Sequence, residues 1–341
     1  MKKREIELDI LRIFAFLCVV FNHSSGIRME SSFGQNILTF LVALTPCSVP
    51  IFVMISGRFF LDPLRTVNTS RIKKSIIHLM TAFLFWDLLY QLFYFFSGCY
   101  TELNWKGILT QTLVGPYHFW YLYMTICLYA ITPFLRLIVQ DKKLTEYFLI
   151  LYFAFSFLNN YAIRIPGIGS PLEQIQSKTY FDFTSGFSGC FILGYYLNKY
   201  RPTGKREMLL YVAGIVMIAF TGGATVWMTN VGAEGEEWFS KVLYPNIIII
   251  AAAIYVFCVN RVSQIRWGRK ITDITSKLSE YSFGAYLVHG LVLDMFSLFF
   301  AENSCIHPVL LLIFTFGFAV LISIIISCTI RKIPVIGKKI T

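Results

Sequence analysis

The stretch Leu8–Ser25, L-D-I-L-R-I-F-A-F-L-C-V-V-F-N-H-S-S, reads as a membrane-crossing helix, yet it carries Arg12 and His23. At about 100° per residue the eleven steps between them come to about 20° past three full turns, so both side chains leave one face of a helix, about 16 Å apart along it. Glu5 and Asp9 lie within two turns before Arg12, close enough to neutralise it. His23 has no such partner in its own helix. Ionisable groups at bilayer depth are costly and face a bundle interior or a water cavity, which makes both residues candidates for a functional site. The plainer reading is that Arg12 snorkels to the inner surface and His23 to the outer one.

The remainder of the chain has the same character. Of 341 residues, 56% are hydrophobic and 14% charged, against about 25% charged in soluble domains. The reading is an all-α, polytopic membrane helical bundle. Ten runs approach the length needed to cross a hydrocarbon core about 30 Å thick, near 8–26, 36–60, 76–98, 118–138, 145–159, 180–198, 208–228, 242–259, 281–301 and 308–330. No cleavable signal is evident, so the first run is a span.

The formal charge of +11 is set by short basic clusters between apolar runs. They fix topology, and nucleic acid is excluded as a partner. Of the 30 Lys and Arg, 23 fall at the termini and in alternate connections, five in the intervening ones, and Arg12 and Arg58 within spans. Positive loops stay inside, which puts both termini in the cytoplasm. No connection is long enough for a separate soluble domain, so residues 1–341 read as one integral-membrane domain. The connection near 160–179, with Pro166, Gly167, Gly169 and Pro171, reads as a structured cap or binding loop. The acidic run at Glu234, Glu236 and Glu237 reads as a solvated turn. The eight cysteines form no pair at a metal or redox spacing, and no metal site is expected; Cys99 and Cys305 fall in external connections, where a disulfide is open.

Further polar residues lie in or beside the spans. Val49–Gly57, V-P-I-F-V-M-I-S-G, includes Ser56 and Gly57, which either let helices approach closely or expose carbonyls. Arg58 behind it reads as an inner-surface anchor. Arg71, Lys73 and Lys74 precede the third span and are either topogenic and lipid-facing or a phosphate clamp. Asp87, midway through that span, is a candidate partner for a buried cation such as Arg12. His118 and Trp120 open the fourth span at about the depth of His23; Trp120 fits an aromatic belt, while His118 is placed to join His23. Tyr286 and His289 share nearby faces of the ninth span, as a packing pair or a catalytic one.

In this order the pieces resemble integral-membrane acyltransferase family 3, whose members move acetyl and related acyl groups onto extracytoplasmic acceptors. The carriers are R-E-I-E-L-D-I-L-R from Arg4 to Arg12, the ten-residue gap to His23, V-P-I-F-V-M-I-S-G, the Arg71–Lys74 basic pair, His118-Phe-Trp-Tyr, Gly194-Tyr-Tyr and Ser282–His289, S-F-G-A-Y-L-V-H. The resemblance implies that His23 is the catalytic histidine, Arg12 its motif partner, and Arg71 with Lys74 the acyl-CoA side. Arg58 and Lys74 depart from the residues usual at those positions.

The resulting expectation is an O-acyltransferase with acetyl-CoA or another acyl-CoA as donor and a sugar hydroxyl of an envelope glycan or lipid-linked sugar as acceptor, working among membrane lipids. A neutral imidazole suits the base that a hydroxyl needs to attack a thioester. Asp9, Ser56, Asp87, His118, Trp120, Tyr286 and His289 are expected in supporting or substrate-binding places. A polysaccharide transporter or flippase would use the same buried charges as a polar pathway, although no internal repeat supports two related halves. A sensor or scaffold would need none of them.

Overall fold

The computed structural model describes residues 4–27, 29, 31–63, 68–98, 105–165, 167, 169–178, 186–232, 239–300 and 307–341, with the side chains of 105–109 and 299–300 outside that set. Cys99, Cys305 and the three loop glutamates near 235 lie outside the described residues. Among the described residues every regular element is helical: α1 Ile6–Ser24, α2 Ser32–Leu44, α3 Ser48–Phe60, α4 Thr69–Phe96, α5 Trp105–Val114, α6 Trp120–Ile138, α7 Lys142–Asn160, α8 Gly169–Gln176, α9 Phe187–Lys199, α10 Lys205–Asn230, α11 Pro245–Asn260, α12 Arg269–Phe300, α13 Pro308–Arg331 and α14 Gly337–Ile340.

Local sequence accounts for these ends. Asn68 accepts from the Arg71 amide at 2.9 Å and starts α4. Asp141 does the same for α7 with Leu144, at 2.7 Å. Pro245 and Pro308 open α11 and α13 at positions where a missing N–H costs nothing. Pro46 falls in a 3-10 turn, Thr45–Cys47, that separates α2 from α3 within one expected span. Gly115 ends α5 with φ +70°, its amide bonded to Gln111 O at 2.7 Å, and so turns the chain into the 3-10 turn Tyr117–Phe119 that carries His118.

Six stretches among the described residues are long and apolar enough to cross a membrane: Ser32–Phe60, Thr69–Phe96, Tyr117–Ile138, Lys205–Asn230, Pro245–Gln264 and Pro308–Arg331. Helices also occupy the other four expected runs. They are short or charged: α9 has 13 residues, α1 holds Glu7, Asp9 and Arg12, α7 begins with two lysines, and α12 starts three turns before the apolar run, among Lys270, Asp273 and Lys277. The 160–179 connection contains a 3-10 turn, Ala162–Arg164, and α8. Helix α5 was not legible as an element of its own.

The chain forms two compact units. The first comprises Met1–Val19, Met29–Val67 and Ile131–Thr272. Its tightest junction is α3 on α9, where a methyl added at Gly57 would land on the Phe191 carbonyl and one at Gly194 on the Met54 carbonyl. Small residues at both places let the two backbones touch, which is the packing role open to V-P-I-F-V-M-I-S-G and Gly194-Tyr-Tyr. Elsewhere in this unit Glu207 takes a two-pronged contact from Arg261, at 2.9 and 2.8 Å. The second unit comprises Val20–Arg28, Asn68–Ala130 and Asp273–Thr341. There α14 packs on α4, with Trp86 Nε1 donating to Ile340 O at 2.8 Å, and Ser327 ties α13 to Tyr281 O at 2.8 Å.

Candidate functional site

Helix α1 is unbroken, so it carries both Arg12 and His23 as the spacing requires. Within the first unit the opening motif builds an ionic cluster. Asp9, 2% exposed, receives Arg12 Nη1 at 3.1 Å on one oxygen and Arg4 Nε at 2.7 Å on the other. The Arg12 guanidinium lies 5.4 Å from the Phe59 ring centre, held between a carboxylate and an aromatic face. Glu5 pairs with Arg58. Arg58 is therefore not the inner-surface anchor expected from its place behind Ser-Gly: its side chain is 8% exposed, and the carboxylate 53 residues earlier stabilises it there. Ser56 is half-buried on α3.

The second unit gathers histidines. The His23 ring lies 5.3 Å from that of His289 and 6.4 Å from that of His118, and the latter two are 4.6 Å apart. His118 and His289 are buried, whereas His23 is only partly so. No hydrogen bond to another described residue occupies the His23 ring, and His118 Nδ1 and His289 Nε2 also have no hydrogen-bond partner among the described residues. The Tyr117 ring packs edge-on against His23 at 4.9 Å, and the Tyr286 hydroxyl donates to the His118 carbonyl, fixing the 3-10 turn on α12. Thus His118, Tyr286 and His289 come together with His23.

Tyr90 and Gly290 hold this cluster, and neither was singled out in the sequence. The Tyr90 hydroxyl donates to Leu287 O at 3.1 Å and accepts from the Leu291 amide at 2.7 Å, so it bridges the two ends of one rung of α12, beside His289. It also stands 3.4 Å from His118 Nε2. A methyl at Gly290 would come within 2.7 Å of His118 Cε1 and 2.9 Å of the Tyr90 oxygen, so the missing side chain makes room for the imidazole. The only signal for Tyr90 was its spacing, one turn after Asp87 on α4. We expect Tyr90→Phe to unfold about 1 kcal/mol more easily, the net worth of a lost hydrogen bond, and to lower kcat at unchanged donor KM. Wild-type kcat in that variant would show that the α12 rung does not position the histidines.

Other expected residues sit apart from the cluster. Asp87 is 1% exposed and accepts from Gln91 Nε2 at 3.1 Å. Trp120 is 42% exposed on α6, as an interfacial belt residue would be. Arg71, Lys73 and Lys74 are exposed on the first turns of α4. Cations oppose the helix dipole there, so an anion brought to that end would be welcome.

Residues 5–328 match the model of acyltransferase family 3, described as an acyltransferase domain. No curated protein sequence and no solved structure matches the chain significantly. The family match runs from the first turn of α1 almost to the end of α13, over helices that include six able to cross a membrane; the chain belongs to acyltransferase family 3 and is a multi-pass membrane acyltransferase.

Proposed function

We propose that the protein is a cytoplasmic-membrane O-acyltransferase that moves an acetyl or related short acyl group from acyl-CoA to a sugar hydroxyl of an envelope glycan or lipid-linked sugar. The observation that carries this reading is the His23 ring, partly exposed, packed on two buried imidazoles and free of hydrogen bonds to other described residues. Such a ring has a nitrogen available to take a proton. In the proposed step the acceptor oxygen attacks the thioester carbonyl carbon as its proton passes to His23. The carbon–sulfur bond then breaks, and the proton returns from the imidazolium to the leaving thiolate.

The other assignments follow from the same reading. Arg12, oriented by Asp9, positions or polarises the thioester or holds a donor phosphate, because a guanidinium stays charged where an ammonium need not. Arg71, Lys73 and Lys74 hold the CoA phosphates. Ser56, Asp87, His118, Trp120, Tyr286 and His289 support the site or line the substrate path. All ten helical runs cross the membrane as one domain with both termini in the cytoplasm, and no metal takes part; the 23-to-5 division of Lys and Arg supports the orientation.

Transfer of radiolabelled acetyl from acetyl-CoA to sugar acceptors by purified protein tests the reading, and vesicle transport without acyl transfer would favour the flippase instead. Neutralising Arg71 and Lys74 together is expected to raise the donor KM by about tenfold or more while kcat changes little, the pattern of lost ground-state binding. An unchanged donor KM in correctly inserted protein would make the cluster topogenic.

A further inference from the structure

Beside the histidine cluster the second unit holds a cleft of about 310 Å³, lined in part by Gln91, Tyr94, Thr110, Gln111, Pro116 and Tyr117. It lies where the C-terminal part of α4, helix α5 and the 3-10 turn before α6 meet, and α5 is the element that apolar runs did not reveal. The volume is at the lower end of small-molecule sites, which start near about 300 Å³. It suits one or two sugar rings better than a coenzyme.

The chemistry of its walls is specific. Two amides, a threonine hydroxyl and the Tyr117 hydroxyl can both donate and accept, and the Tyr94 oxygen can accept, as a ligand rich in hydroxyls requires. Tyr94 and Tyr117 supply flat amphipathic rings for the carbon face of a pyranose. None of the described lining residues is cationic. The Tyr94 hydroxyl donates to Asp294 Oδ2 at 2.7 Å, which locks that ring and puts a carboxylate behind it. Among the described lining residues an anionic ligand would therefore meet no counter-charge, and a carboxylate stands behind Tyr94. Tyr117 connects the cleft to the proposed base, since its half-exposed ring also packs on His23 at 4.9 Å.

We infer that this cleft is the acceptor subsite and that it takes a neutral pyranose, presenting a ring hydroxyl past Tyr117 to His23. The inference rests on the O-acyltransferase reading and adds to it the place and the charge class of the acceptor.

Saturation-transfer NMR with the full-length protein in detergent micelles tests it, using methyl glucoside, methyl galactoside and methyl N-acetylglucosaminide against glucuronate. Acetyl transfer from radiolabelled acetyl-CoA to the same sugars is measured in parallel. Wild-type protein is expected to transfer saturation to one or more neutral glycosides and little to glucuronate. Gln111→Ala and Tyr94→Phe should each weaken the bound glycoside about fivefold, the loss of one net hydrogen bond, and raise the acceptor KM in step; Gln111→Ala should melt near wild type, and Tyr94→Phe, which also loses the bond to Asp294, only modestly below it. Glycoside binding by wild type that both variants retain in full would overturn the cleft as the subsite and leave the glycan reading standing. Preference for glucuronate would overturn the neutral class. Absence of binding and of transfer to every sugar would overturn the inference and the glycan reading together.

Discussion

Purified His23→Ala protein is expected to elute as a monodisperse species and to transfer acyl groups at least about 100-fold more slowly than wild type, the lower end of what a positioned general base contributes. Truncation at His23 removes a ring that only packs against its neighbours, with Tyr117 at 4.9 Å and His289 at 5.3 Å, and breaks no hydrogen bond to another described residue, so folding should survive it. The rate in wild type should fall as the pH is lowered, because the neutral imidazole is the active form and protonation removes the lone pair that accepts the hydroxyl proton. His23→Gln, which fills the space without a titratable nitrogen, should lose both the rate and this acid limb. Wild-type-like turnover by well-folded His23→Ala would move the base elsewhere in the cluster, with His118 and His289 next in line.

The second large effect concerns stability. Replacing Glu5 by Leu removes the carboxylate that meets the Arg58 guanidinium, whose side chain is 8% exposed and whose Nε and Nη1 have no hydrogen-bond partner among the described residues. A buried cation stripped of its anion costs about 3 kcal/mol or more, so Glu5→Leu should melt well below wild type in detergent and insert in reduced yield. The double variant Glu5→Leu with Arg58→Met should recover most of the loss, since replacing both members of a buried pair by apolar side chains is often close to neutral. A single variant that melts like wild type would show that solvent or lipid headgroups reach Arg58, as the anchor reading of that residue supposes.

The two predictions touch opposite ends of what a linear chain can reveal. Periodicity and length determined α1, and with it the placing of Arg12 and His23 on one unbroken helix, because apolar runs of bilayer length have few alternatives to a helix. Asp9 as a partner of Arg12 was legible for the same local reason, being one turn away. Matching depth had suggested His118 for His23, but tertiary structure decided which distant residues answer these local ones. Glu5 meets Arg58 across 53 positions, and His23 meets His118 and His289 from two other elements. An apolar face says that a helix is buried, but which neighbour it faces depends on where side chains are missing, as at Gly57, Gly194 and Gly290, and that fit exists only once the helices are side by side. The cleft beside Tyr117 was illegible for the further reason that α5 and the turn at Gly115 are too short and too polar to stand out as apolar runs, and a concave surface is made by what the chain leaves empty.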